Sequence, residues 1–189
     1  PASITIVVGH GADEVKKETG IRPLFHFVLQ EQQLGTGHAL LQAAPVLRGK
    51  EGTVVLLSGD VPLLTPASLN GLLDTHRDAG AACTVMTARM PKPFGYGRIV
   101  RSGGHITKIV EERDASPAQK ALTEINSGIY AFDLPPLFDA LESIGKANAQ
   151  GEYYLPDLVA IYRRRKREVA TWTVERSDEI RGINSRAEL

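Results

Sequence analysis

Ser58-Gly59-Asp60 closes the apolar run Thr53–Leu57. In α/β proteins, ligands bind beyond the carboxyl ends of strands. A carboxylate there could hold Mg2+ against substrate phosphates, because Mg2+ takes one or two carboxylates plus phosphate oxygens. Gly59 would let a ligand approach the backbone. The same three residues also make an ordinary turn, and both readings stand at this level. Gln30-Glu31-Gln32-Gln33-Leu34-Gly35-Thr36-Gly37 sets amides ahead of two glycines and a hydroxyl. Amide side chains donate and accept, which suits the edge of a base. A polar loop with Thr36 capping a helix fits as well. A third group joins Gly95-Tyr96-Gly97-Arg98 to Glu111 and Asn126. Its glycines can expose backbone N–H groups, and Glu and Asn can bond sugar hydroxyls. Taken singly, hairpin turns and strand polarity explain each of them.

Other signals carry less. Gly9-His10-Gly11 follows a strand like the opening of a dinucleotide fingerprint, but the third glycine is missing. Asp13 and Glu14 would compete with a pyrophosphate for the helix start, so a tight turn suffices. His10, His26, His38, His76 and His105 show no metal-ligand spacing and read as loop or surface residues. No Ser/His/Asp or Cys/His arrangement is visible. Arg163-Arg164-Arg165-Lys166-Arg167 reads as a solvated run compensating a helix dipole.

The elements that must position these groups alternate between strand and helix. Strands are expected at Ile4–Val8 (apolar on both faces, as under two-sided cover), Phe25–Leu29, Thr53–Leu57 (the clearest buried strand), Ala82–Ala88, Glu124–Phe132 and Val169–Val174. Helices are expected at Ala12–Thr19, Thr36–Leu47, Pro66–Asp78 with Thr65 as N-cap, Pro136–Ile144 and Tyr154–Arg167. Gly97–Val100 and His105–Val110 form a hairpin around Ser102-Gly103-Gly104. The alternation predicts a βαβ parallel sheet, and the hairpin a small antiparallel insertion.

Composition bounds the function. The 189 residues are 42% hydrophobic and 23% charged, with no low-complexity segment. A chain this long can bury roughly 70% of its unfolded surface in one core. Lys+Arg and Asp+Glu are both 22, so the basic excess of a nucleic-acid binder is absent. The apolar runs are of strand length, too short for a transmembrane helix. Cys83 is the only cysteine, which excludes an internal disulfide and a cysteine zinc cluster. Without a recognisable signal peptide, a cytoplasmic protein is expected.

Together the segments resemble the uridyltransferase domain of the bacterial bifunctional N-acetylglucosamine-1-phosphate uridyltransferase / glucosamine-1-phosphate acetyltransferase family. The resemblance lies in Val8-Gly9-His10-Gly11, Gln30–His38, Ser58-Gly59-Asp60-Val61-Pro62-Leu63, Gly95–Ile99, Ile109-Val110-Glu111, Glu124–Ile129, Asn148–Tyr154 and Gly182–Arg186, in family order over nearly the whole chain. It implies an α/β nucleotide-diphospho-sugar transferase (Rossmann-like) fold, with a mixed, mainly parallel sheet and an antiparallel sugar-binding insertion, as a single domain over residues 1–189. It implies synthesis of UDP-N-acetylglucosamine, a peptidoglycan and lipopolysaccharide precursor, and pyrophosphate from UTP and N-acetylglucosamine 1-phosphate. No protein nucleophile is required. By the same resemblance Asp60 is catalytic, and Asp60 and Asn184 hold Mg2+. Gln30, Gln33, Leu34, Gly35, Thr36, Ser58, Gly59 and Asp60 meet the nucleotide. Gly97, Glu111, Asn126, Tyr154 and Asn184 hold the sugar phosphate. Pro156 stands where the family often has a threonine. The family's opening strand and Gly-rich phosphate loop have no counterpart in the sequence, so little turnover is expected of these residues alone. Nor has the acetyltransferase half, through which the family trimerises.

Overall fold

The computed structural model describes residues 1–20 and 22–183. In chain order the elements begin with β1 (Ile4–Val8), α1 (Ala12–Thr19), β2 (Phe25–Leu29), α2 (Thr36–Leu41), α3 (Ala44–Leu47) and β3 (Thr53–Leu56). Then come α4 (Pro66–Asp78), β4 (Cys83–Arg89), β5 (Arg98–Ser102), β6 (His105–Val110) and α5 (Pro117–Lys120). The last are β7 (Glu124–Asp133), α6 (Leu134–Leu141), α7 (Asp157–Arg164), β8 (Val169–Thr173) and a 3-10 turn over Ser177–Ile180. None of the described helices is long and apolar enough to cross a membrane. The chain divides into two compact units, Pro1–Glu51 with Leu134–Leu155, and Gly52–Asp133 with Pro156 onward.

In the first unit β1 and β2 pair in parallel, Ile4 opposite Phe25 through Val8 opposite Leu29. Two-sided cover of β1 is not found: only Val8 is buried, and Ile4 is 39% exposed. A two-stranded ribbon has too few neighbours to bury both faces. The helix expected over Thr36–Leu47 is two helices. Pro45 has no N–H to give the carbonyl four residues back, and its ring clashes there. The chain therefore tightens at Gln42 and Ala43, whose N–H groups reach the Ala39 and Leu40 carbonyls. Leu40, Ala43 and Leu47 are buried, as are Leu137, Phe138 and Leu141 of α6. Arg48 binds Glu142 and lies 5.5 Å from the Phe138 ring centre. Helix α6 starts two residues earlier than expected, at Leu134.

In the second unit the strand order is β6-β5-β7-β4-β8, with β3 also on β7. The sheet is mixed: β4 and β8 run parallel, the other pairs antiparallel. One side of β4 and β7 packs Met86, Ile129 and Ala131 with Leu72 of α4. By alternation, Cys83, Val85, Tyr130 and Phe132 occupy the other side, and Tyr130 and Phe132 stack at 5.3 Å. Strand β3 is not the buried strand its composition suggests. Thr53 is exposed and Val54–Leu56 are partly covered, because β3 lies off the main strand path with β7 as its partner.

Helix α4 begins as expected, with Thr65 Oγ1 accepting from the Ser68 N–H at 3.2 Å. Helix α7 starts at Asp157 rather than Tyr154. Pro156, buried at φ −53°, sets the first turn and disfavours helical geometry before it. The basic run closes this helix largely exposed, as expected. Gly103 and Gly104, at φ +57° and +82°, join β5 to β6 in a two-residue turn that needs positive φ at both positions.

Candidate functional site

The second unit's site arises from how strand β7 shares its edges. Strand β4 follows one edge, from Cys83 opposite Phe132 to Arg89 opposite Glu124, with a bulge between Val85 and Thr87. The other edge is divided. Strand β3 takes Tyr130–Asp133, and β5 takes Ile125. Between them Asn126–Ile129 has no strand partner on that side. Gly128 bends there at φ +80°, its N–H bound to Asn126 Oδ1 at 3.1 Å. Ser127 Oγ donates to the Met86 carbonyl at 2.7 Å and accepts from the Ile129 N–H at 3.1 Å, closing the ladder across the bulge. The broken edge opens a cavity of about 780 Å³ lined by Ser58, Asp60, Met90, Lys92, Phe94, Tyr96, Ser127 and Arg181.

Asp60 is exposed at the turn after β3. Its carbonyl accepts the Ile183 N–H at 2.9 Å, which draws the Gly182–Ile183 backbone onto that turn. Asn184, the second expected metal ligand, lies outside the described residues. The described residues contain no group of three or more metal-ligating side chains. One outward carboxylate beside open space fits Mg2+, which completes its shell with water and phosphate oxygens.

Gly97, Glu111 and Asn126 come together, and the chain neighbours Tyr96 and Ser127 line this cavity. The Gly97 carbonyl accepts the Asn126 N–H at 2.9 Å. Glu111 lies across the hairpin from Gly97, and a Cβ on Gly97 would sit 2.8 Å from Glu111 Oε1. Only glycine leaves room for the carboxylate. Burial pushes the Glu111 pKa up, Asp114 and Asp157 add to the rise, and Arg98 opposes it. Burial also raises Asp157, against Arg164. Tyr130, 1% exposed, is raised well above the usual phenol range, chiefly by burial.

The first unit gathers the expected nucleotide residues Gln30, Gln33, Leu34, Gly35 and Thr36 around a second loop, while Ser58, Gly59 and Asp60 belong to the second unit. Gly35 at φ +103° packs against residues 152 and 153: a Cβ there would meet the Tyr153 carbonyl at 2.8 Å. The Tyr153 N–H donates to the Leu34 carbonyl and the Gly37 N–H to the Tyr153 carbonyl, both at 2.8 Å. Thr36 Oγ1 accepts from the Leu155 N–H at 3.1 Å, which fixes the backbone after buried Tyr154. Gln30 Nε2 donates to the Gly35 carbonyl at 3.2 Å and lies 3.0 Å from His38 Nδ1. Its amide donor therefore braces its own loop. Gln33 Nε2 would lie 3.0 Å from a Cβ on Gly9.

Tyr154 thus belongs with the Gln30–Thr36 loop, whereas Gly97, Glu111 and Asn126 belong to the other unit. The histidine reading needs correction. His76 is 5% exposed inside α4, bonded to Thr84 Oγ1 at 2.9 Å, and burial lowers its pKa against Asp133. His38 is partly covered in α2 and stacks on Tyr153 at 6.1 Å. The sequence reading missed Asp114 and Asp157 around Glu111. It also missed Ser127, Lys92, Phe94 and Arg181 on the cavity wall. Ser127, inside the Glu124–Ile129 motif, and Arg98, inside the Gly95–Ile99 motif, carried a local signal.

Comparisons with known proteins bear on the family and the fold. Residues 4–175 match the family model described as Nucleotidyl transferase. The chain is 51% identical over 187 residues to the Bifunctional protein GlmU of Pelotomaculum thermopropionicum, covering 98% of this chain and 40% of that protein. It is 50% identical to that of Syntrophotalea carbinolica, covering 97% and 39%. The chain thus spans about 40% of the length of these relatives. The crystal structure of a UDP-glucose pyrophosphorylase complexed with UDP-glucose superposes with a TM-score of 0.71 at 18% identity, over 94% of this chain and 75% of that one.

Proposed function

The chain belongs to the nucleotidyl transferase family, and from that premise we propose that it serves the making of UDP-N-acetylglucosamine and pyrophosphate from UTP and N-acetylglucosamine 1-phosphate. The observation that carries this reading is the Glu111 carboxylate set over Gly97, whose carbonyl holds the Asn126 N–H, with the chain neighbours Tyr96 and Ser127 lining the cavity that Asp60 also lines. The sugar phosphate oxygen attacks the α-phosphorus of UTP in line, the bond to the pyrophosphate oxygen breaks, and pyrophosphate leaves. Such a transfer needs no protein nucleophile; it needs alignment and charge neutralisation.

Glu111 and Asn126 accept hydrogen bonds from, or donate them to, the sugar's polar groups, and Gly97 supplies close backbone approach. Tyr154 lines the sugar-phosphate side. Gln30, Gln33 and the Leu34-Gly35-Thr36 turn read the uracil edge, and Ser58 and Gly59 flank the nucleotide phosphates. Asp60 and Asn184 are the residues that would hold Mg2+, and the Ile183–Asp60 bond supports that pairing. Bound there, Mg2+ supplies electrostatic neutralisation of the phosphates. A buried free thiol at Cys83 suits a reducing cytoplasm.

The test is calorimetric binding of N-acetylglucosamine 1-phosphate and of UTP with Mg2+, alongside pyrophosphate release. E111A should weaken the sugar phosphate far more than UTP, and D60A should remove the Mg2+ dependence while the fold persists. Equal losses for both ligands in E111A, or tighter binding of another sugar phosphate, would overturn the substrate assignment.

A further inference from the structure

Arg98 opens β5 and is 1% exposed, among the least accessible large side chains in the protein. Its Nη2 donates to Glu112 Oε2 at 2.6 Å, and its Nη1 donates to the Tyr96 carbonyl. These two partners bracket the sugar subsite in sequence: Tyr96 precedes Gly97, and Glu112 follows Glu111. One buried fork therefore spans both ends of the hairpin at the point where Glu111 crosses Gly97. Burying a guanidinium is costly, and an apolar side chain of similar volume often fills such a place at no loss of stability. A buried cation here calls for a purpose beyond packing.

The two adjacent glutamates divide the work. Glu112, with 25% of its side chain exposed, pairs with Arg98 directly. Glu111 forms no ion pair with it among the described residues; its carboxylate is turned toward Gly97. The charged groups acting on Glu111 are Asp114 beyond β6, Asp157 at the start of α7, and Arg98 on β5. Both aspartates oppose ionisation of Glu111, and Arg98 favours it. Tyr130 of β7 is also within electrostatic reach of Glu111.

We propose that Arg98 is the positioning residue for Glu111. Its guanidinium clamps the hairpin ends so that the Glu111 carboxyl is held over Gly97, facing the sugar. The sugar clause rests on the function proposed above; the Arg98–Glu111 relation does not.

The experiment uses the 189-residue chain labelled with 13C at the glutamate carboxyls. Glu111 is titrated by NMR without ligand, its resonance assigned by E111Q. R98M removes the opposing cation and should move the Glu111 midpoint up. E112Q frees Arg98 of its partner and should move it down. Both shifts follow from charge alone; the clamp is read from the NOE between the Glu111 side chain and Gly97, which R98M and E112Q should both weaken. Calorimetry with N-acetylglucosamine 1-phosphate should show binding weakened about tenfold or more in R98M, the scale of one hydrogen bond to a charged group, and partly restored in R98K. An unchanged Glu111–Gly97 NOE in folded R98M and E112Q overturns the proposal. If R98M does not fold, an unchanged NOE in E112Q overturns it alone. A weakened NOE in both variants, with a wild-type chain that binds no sugar phosphate, supports the Arg98–Glu111 relation and overturns the sugar reading.

Discussion

Replacing Gly97 with alanine separates the geometry of the proposed sugar subsite from the stability of the hairpin. The backbone tolerates the change, since Gly97 is not among the positive-φ glycines. The new Cβ would lie 2.8 Å from Glu111 Oε1 and 3.0 Å from Ile109 Cγ2, where ordinary contact begins at 3.4 Å. Glu111 is the far end of a flexible side chain, so the carboxylate retreats by about 0.6 Å. Ile109 has only to give by a few tenths of an ångström. The stability cost is then about 1 kcal/mol, the low end for overpacking, or a Tm lowered by about 2–4 °C for a chain of this size. The binding cost is larger. A hydrogen bond to a charged group contributes about 1.5–3 kcal/mol, so losing it weakens N-acetylglucosamine 1-phosphate by about 10- to 150-fold. Calorimetry and a thermal melt measure the two costs on the same sample. A folded Gly97→Ala chain that binds the sugar phosphate within about twofold of wild type would show that the carboxylate does not act from its place over Gly97.

Three further outcomes follow from other packed sites. Gly71→Ala would put a Cβ 2.5 Å from the Trp172 ring, which should cost about 1–3 kcal/mol and shift the emission of the protein's one tryptophan; an unchanged spectrum and melt would contradict that contact. Glu179 accepts from Thr65 and Ser68 at the start of α4, and these bonds hold its pKa below the ordinary value. A depressed folded value stabilises above the ordinary carboxylate range and fades as pH falls through the depressed one, so Glu179→Gln should cost about 1 kcal/mol at neutral pH and nothing in strong acid. A gap that persists in acid would refute the charge-based account. Burial pushes the Cys83 thiol up, so a thiol reagent should label it only through unfolding, at a rate that rises with denaturant; immediate labelling of native chain would refute its burial.

Much of the chemistry was local enough to be legible in sequence. Thr65-Pro66 opens a helix because both act within one turn, through a side-chain cap and a fixed φ. Gly103-Gly104 makes its hairpin turn because two positive φ values are needed at neighbouring residues. Gly97, Glu111 and Asn126 had the right chemistry by type but were singled out by the family resemblance, and the hairpin and β7 bring them together. Composition misled where neighbours decide the environment. Thr53–Leu56 is as apolar as a central strand, yet it lies off the main strand path and stays partly open. His76 carries no mark of burial; it is interior because Thr84 of β4 packs against that turn of α4.

Residue identity and short-range spacing showed which groups have the chemistry for metal, base or sugar, beside ordinary turn and loop readings, since donor type, φ freedom and capping are properties of one to four consecutive residues. The fold settled their state. The gap on the β7 edge exists because β3 and β5 meet that strand at different heights, a pairing between segments about 70 residues apart or more on one side and about 27 on the other. The rise in the Glu111 pKa likewise depends on Asp157, 46 positions away in sequence, and on the burial that the assembled sheet imposes. Long-range pairing and desolvation are sums over the whole packed unit, and no window of sequence contains them.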